Sequence, residues 1–239
     1  TGEPGLDIAA EYIASQFRRI GLTPLGIDES YFQRYELLKT KLGKGNELSL
    51  LLDRGAGSTR ERFQYGEDFF VSPRGLTGSM EIQAPILFAG YGITAEEYHY
   101  NDYSGITAEN SVVLIIDGEP ELDNPSRFSG KSDTRYADLR EKLTTAKNNG
   151  AVAVLIASNP RTDELFSDKY KRWKSWLRRE SMSLPTSETA VPVFTLSETA
   201  ADRIVSSAGK SLRELQVELE SEGTSNSQAL TGSYVRLNV

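Results

Sequence analysis

The chain has 239 residues, one histidine and no cysteine, and that inventory limits its chemistry at once. A serine–histidine relay could use only His99. A hydrolytic zinc site draws on two or three histidines, or on one with several carboxylates. His99 lies among Glu96, Glu97, Tyr98, Tyr100 and Asp102. One imidazole with carboxylates could hold a metal weakly, but without a second histidine the residue reads as surface or loop packing. The absence of cysteine excludes disulfides and thiolate metal sites.

Other chemistry-bearing residues fall in short patterns. Gly90, Gly92 and Ala95 spell G-x-G-x-x-A after the apolar run Ile86–Ala89, and Asp117 ends the next run, Val112–Ile116. That spacing matches a dinucleotide fingerprint, with Asp117 as the ribose-binding acid. The fingerprint needs a helix opening at its third position, so that the helix N-terminus faces the pyrophosphate. Residues 95–111 lack helical apolar spacing and hold Asn101, Asp102, Ser104 and Gly105, which favour turns. A dinucleotide-binding enzyme is thus the weaker alternative, and the glycines read as turn residues. Gly130-Lys131-Ser132 resembles the end of a phosphate loop, but Pro125 stands where that loop needs glycine. Ser132 reads as a helix cap. Asp117, Glu119, Glu121 and Asp123 alternate as calcium ligands do, yet Pro120 interrupts them and the loop glycine and closing glutamate are out of register. A solvated turn is expected there.

The segment Lys169–Arg179 holds six basic residues, no acid and both tryptophans of the chain. On a helix, Phe166, Tyr170, Trp173 and Leu177 would share a face. Two readings stand. One is an amphipathic cover over the core with a solvated basic face. The other is a contact surface for a partner, substrate or anionic surface, made by Lys169, Lys171, Arg172, Trp173, Lys174, Trp176, Arg178 and Arg179.

The elements that position these residues follow from periodicity. Residues 3–20 form an amphipathic helix, with Leu6, Ala9, Ala10, Ile13, Phe17 and Ile20 on one face, Arg18 and Arg19 in the last turn, and Gly21 as its stop. Strands are expected at Phe32–Leu38, Glu47–Leu52, Phe63–Tyr65 and Met80–Gln83, as a meander. Asp133–Asn149 is a helix capped by Ser132 or Asp133, with Tyr136, Leu139, Leu143 and Ala146 inward and Gly150 at its end. Ala151–Ala157 is a buried strand, and β–α–β order from Val112 suits a parallel pair. Val191–Leu196 is a strand, Ser197 caps a helix through Ala208, Ser211–Glu220 is a short helix, and Tyr234–Val239 is a strand.

Net charge is −7, from 27 basic and 34 acidic residues, which argues against nucleic-acid or anionic-membrane binding. No apolar run approaches the roughly 20 residues of a membrane span. The chain opens at Thr1 with no signal peptide, as a processed protein or an excised piece would.

Ala84–Pro120 resembles the opening of the protease-associated (PA) domain of bacterial di-zinc aminopeptidases, in the class that includes the transferrin receptor ectodomain and glutamate carboxypeptidase. The resemblance rests on FAGYGITAEEYHYNDYSGI and VVLIIDGEP, then Arg135, AKNNGA, VAVLIASNP and VPVFTLS. At the N-terminus, Thr1-Gly2-Glu3-Pro4-Gly5, AAEYIASQF, GLTPLG and Tyr31-Phe32-Gln33 resemble the start of the peptidase catalytic domain. The resemblance implies an α/β (α+β) chain. Residues 1–42 would be the N-terminal segment of a zinc-peptidase catalytic domain. Residues 43–239 would be a PA-type open β-barrel or sandwich with flanking helices, its core at about 80–210. It also implies a periplasmic or extracellular setting and a role bordering a peptidase active site, in substrate or partner recognition. The family's zinc ligands and catalytic glutamate lie in histidine- and acid-rich motifs after the inserted domain, and none of those motifs is in this sequence. No catalytic or metal residue is therefore assigned, and zinc is expected in the remaining catalytic domain. Partners implied are that domain and a peptide or protein substrate; a stand-alone interaction module is the alternative. The apolar face of helix 3–20 would fold back on the PA domain or self-associate, since leaving such side chains wet forgoes roughly 1.5–3 kcal/mol each.

Overall fold

A computed structural model describes residues 4–53, 57–73, 76, 78–120, 128, 130, 132–162, 164–185, 190–222 and 227–239. They form two compact units. The smaller runs up to Leu38 and includes Ser183–Pro185; the larger is built from Lys39–Met182 and the chain that ends at Val239.

The smaller unit centres on helix α1, Pro4–Arg19. Its last turn carries Arg18 and Arg19, which favour the negative end of the helix dipole. Gly21 follows at φ +76. Phe17 packs on Tyr31 at 6.0 Å, and Tyr31 donates its hydroxyl to the Leu22 carbonyl at 2.6 Å. Leu6, Ile8, Tyr12 and Ile13 stay exposed, while Ala14 is buried.

The larger unit is organised by one mixed sheet of eight strands. These are β1 (Glu47–Asp53), β2 (Ser58–Arg62), β3 (Phe69–Ser72), β4 (Glu81–Phe88), β5 (Val112–Ile116), β6 (Ala153–Ala157), β7 (Val193–Leu196) and β8 (Gln228–Asn238). Their spatial order is β2-β1-β8-β4-β5-β6-β7-β3. The central ladder β4-β5-β6-β7 is parallel, with Ile86 opposite Val112, Val112 opposite Ala153 and Val193 opposite Val154. The outer pairs are antiparallel. Parallel strands buried on both faces read as unbroken apolar runs, as VVLII and AVLIA do. Val112, Leu114 and Ile116 join the core under helices α4 (Glu198–Val205) and α5 (Leu212–Glu222), while Val113 and Ile115 join the core under α2 (Leu139–Asn148). Helix α3 (Phe166–Leu177) follows β6.

Several sequence expectations shift. The runs expected at Met80–Gln83 and Ile86–Ala89 merge into one strand, β4, which covers Glu81–Phe88. Pro85 is tolerated because it pairs only toward β8, beside a bulge, and the parallel ladder to β5 begins at Ile86. Phe32–Leu38 is irregular up to Leu37, and Phe63–Tyr65 lies past the strand Ser58–Arg62. The helix expected at 133–149 begins at Leu139. Thr134 caps a single 3₁₀ turn, Arg135–Ala137, and Asp138 then accepts from the Arg140 amide at 2.7 Å. Two competing caps divide the segment. Leu139 consequently faces out, and Lys142 and Ala146 take the buried face. The carboxylate run is not a solvated turn where it is described. Glu119 is fully buried and accepts from the Thr134 amide at 3.1 Å, because that bond supplies the desolvated carboxylate with a donor. Glu121, Asp123 and Lys131 lie outside the described residues.

Candidate functional site

The carboxyl ends of the parallel strands gather the densest polar chemistry of the larger unit, where open α/β sheets commonly place their ligands. After β4 the chain turns through Gly90 and Gly92, at φ +49 and +71. Glycine is required for space as well as dihedral. A Cβ on Gly90 would run into Asp102 Oδ1, and one on Gly92 would come within 2.9 Å of Ile115 Cγ2. Asp102 occupies the room left by Gly90. Its Oδ2 accepts from the Tyr91 and Ile93 amides at 3.0 Å each, and its Oδ1 from the Tyr100 hydroxyl at 2.8 Å. Asp102 has no exposed surface. Burial pushes its carboxyl up to about 7, against the bonds from Ile93, Tyr100 and Tyr91 and the charge of Lys142. The acidic aromatic loop is folded as a small hairpin, Thr94–Ala95 against Tyr100–Asn101, with a 3₁₀ turn at Glu96–Tyr98 between them. No dinucleotide helix opens here.

Lys142 reaches this turn from α2. Its ammonium donates to the carbonyls of Tyr91 at 2.7 Å, Ile116 at 3.2 Å and Gly118. It is almost wholly buried, which lowers its pKa to about 8, with Asp117 and Asp102 pulling the other way. The Tyr91 hydroxyl donates to Glu220 Oε1 at 2.8 Å and accepts from Gln216 Nε2 at 2.8 Å; Gln216 Nε2 also reaches Asn159 Oδ1. Asn159 Nδ2 donates to the Asp117 carbonyl at 3.0 Å. Burial and the Glu220 charge push the Tyr91 phenol upward.

Asp117 forms an ion pair with Lys169. Burial alone would raise the Asp117 carboxyl, but Lys169 and then Lys142 hold it below its ordinary value. A polar pocket of about 220 Å³ adjoins this pair, lined also by Gly118, Asp133, Ser158, Asn159 and Thr162.

The described residues do not fit a zinc centre. Among them, no three His, Asp or Glu side chains converge where they could hold a metal. His99 sits exposed at the left-handed end of the Glu96–Tyr98 turn.

The basic segment is helical, as one reading required, and its residues divide by role. Phe166 and Tyr170 pack on Phe70 at 5.6 and 5.8 Å, and Leu177 is buried, so this face covers the core. Trp173 remains 43% exposed, edge-on to Trp176 at 5.4 Å. Lys169 turns in to Asp117. Lys171 pairs with Asp168 at 3.1 Å and Arg172 with Glu164. Lys174 lies over the Tyr170 ring at 5.7 Å, while Arg178 and Arg179 are exposed. Asp102 carries a turn-former's signal alone in the sequence, and Lys142, Asn159 and Gln216 carry no chemical motif there. The available signal for Lys142 was its four-residue spacing from Ala146.

No family model and no curated protein matches the chain. Among solved structures it is similar to an aminopeptidase from Aneurinibacillus sp. strain AM-1, at 14% identity and a TM-score of 0.42, over 99% of this chain and 42% of that one. It is also similar to BSAP, a zinc aminopeptidase from Bacillus subtilis, at 14% identity and a TM-score of 0.33, over 100% of this chain and 38% of that one. The chain thus spans about two-fifths of the length of these solved structures.

Proposed function

We propose that this chain is a non-catalytic protease-associated (PA) region, with an N-terminal segment, that works beside a zinc-dependent aminopeptidase-like catalytic domain. In this reading it borders the active site and contributes to recognition of peptide substrate or protein partner, in the periplasm or outside the cell. The catalytic domain supplies zinc and chemistry. The residues from Lys171 to Arg179 on and after α3 form the contact surface, while Lys169 anchors it to Asp117.

One observation carries the reading. The two buried ionisable side chains at the glycine turn, Asp102 and Lys142, are spent on holding the backbone. Asp102 binds two amides and a phenol, and Lys142 binds three carbonyls. The Lys142 ammonium has all three of its N–H donors committed, and Asp102, with no exposed surface, has at least three of its roughly four lone-pair sites committed, so both stabilise a loop rather than face a substrate. The PA-like sequence motifs run through these same residues, from the glycine turn to the helix and strand that follow it.

The test is hydrolysis. Purified chain with aminoacyl nitroanilides and added zinc should give no turnover above buffer; turnover abolished by a chelator would overturn the proposal. A stand-alone interaction module is the second reading, favoured by the basic cleft described next, which needs no peptidase to function. Histidine- and acid-rich motifs encoded beyond Val239 would separate the first reading from the second.

A further inference from the structure

Within the larger unit, the loop 41–46 and the C-terminal half of α3 border a cleft of about 600 Å³. Lys41, Lys44, Lys174 and Arg178 line it, together with the rings of Tyr65 and Tyr170. Among the described residues, no Asp or Glu lines it. In a chain of net charge −7, four converging cations and no anion mark a local reversal of sign. Among the described residues, none of the four forms an ion pair. Of the carboxylates next to them in sequence, Glu47 pairs with Arg60 at 3.6 Å and Glu180 with Lys39 at 2.8 Å, Glu180 staying within electrostatic reach of Lys41 without pairing with it.

The floor of the cleft is built. Tyr65 meets Phe69 and Tyr170 edge-on at 5.5 and 6.1 Å, and Tyr170 stacks on Phe70. Gly66, at φ +88, lets Tyr170 approach, since a Cβ there would come within 2.9 Å of its ring. Across the cleft, Asn46 Nδ2 ties the loop to the Gly43 carbonyl at 3.0 Å. Like charges held together without a counterion repel, and an anionic ligand relieves that repulsion.

Size and chemistry select the ligand. The volume falls in the ~300–1,000 Å³ range of ligand pockets and far exceeds one inorganic anion. Three of the four cations are lysines, point charges on flexible stems that can each meet a separate anionic group. Aromatic rings between cations suit a chain with apolar surface between its charges.

We propose that this cleft binds an acidic peptide segment, with carboxylate side chains at Lys41, Lys44, Lys174 and Arg178 and its backbone laid across Tyr65 and Tyr170. The proposal extends beyond the accessory role, because it holds whether or not the chain serves a peptidase.

Titration calorimetry at low salt tests it, using a blocked eight-residue peptide that alternates glutamate and leucine. The lysine–leucine analogue, an eight-nucleotide oligothymidylate and inorganic phosphate serve as comparators. The glutamate peptide should bind, and more weakly as salt rises; the comparators should bind more weakly or not at all. The double variant Lys44→Glu/Lys174→Glu should lose at least about tenfold in affinity while keeping its circular dichroism and melting temperature. Arg140→Glu/Lys147→Glu changes net charge equally outside the cleft and should stay within about threefold of the parent. Failure of the glutamate peptide to bind, equal losses in both doubles, or tighter binding of the oligonucleotide or phosphate would each overturn the proposal. The hydrolysis test is indifferent to all of these outcomes, so the two proposals fail separately.

Discussion

Lys142 and Lys174 are both helical lysines of the larger unit, and they show two opposite uses of one side chain. Lys142 is buried among three carbonyls beside Asp102, and its charge serves the backbone. Lys174 stands exposed over the Tyr170 ring on the lip of an open cleft. Among the described residues, the Lys142 donors and the Asp102 acceptors of the strand-end network meet partners, and Gln216 Oε1 is buried without one; the cleft gathers cations that form no ion pair. A polar cluster that satisfies itself is architecture. One that leaves charge facing open space can recognise a ligand.

The comparison breaks most visibly at Asp102. Asp102→Ala would orphan two buried amides and the Tyr100 hydroxyl, and urea unfolding should show a loss of about 3–5 kcal/mol. Gly90→Ala, which must clash with Asp102 from a left-handed backbone, should give a loss of similar size. Lys142→Met should cost about 2 kcal/mol, since the orphaned carbonyls are partly offset by removal of a buried charge. Losses near zero at all three positions would erase the distinction between the two regions.

An effect of comparable size concerns pH. The Asp102 carboxyl rises on folding from 3.8 to about 7, so the folded chain binds the extra proton and stability falls as pH climbs from about 4 to 7. The Lys142 ammonium falls from 10.5 to about 8, so the folded chain sheds a proton and stability recovers between about 8 and 10.5. Asp117, held low by Lys169, contributes above its unfolded value and loses that contribution only in stronger acid, outside the Asp102 window. Urea midpoints at pH 4.5, 7 and 9 should trace a fall and a recovery, and Asp102→Asn should remove the fall. The smallest effect belongs to the exposed pairs: Lys171→Ala and Arg172→Ala should each change stability by less than about 0.5 kcal/mol.

What the sequence disclosed follows the same division. VVLII and AVLIA declared themselves as buried strands, and the helix between them fixed their parallel pairing, because apolar runs and crossover handedness are local signals. β2 stayed hidden because STRER is polar and mostly exposed at the sheet edge, held by one neighbour's ladder rather than by burial. Lys142 gives no motif of its own, because a lysine is buried only where tertiary structure brings it acceptors, and these arrive from residues 26 and 51 positions away along the chain. Asp102 read as a turn former; its partners are amides that the Gly90 turn exposes. The cleft joins residues 41–46 to 170–178, a juxtaposition that neither segment announces alone.

The most direct measurement is the pattern of amide chemical-shift changes in isotopically labelled full chain on titration with the glutamate–leucine peptide. Changes should concentrate at Lys41–Asn46, Tyr65 and Tyr170–Arg178, with Tyr91, Asp102 and Lys142 unmoved. Changes centred on Asp102, Lys142 and Asp117, with the basic cleft silent, would contradict the account.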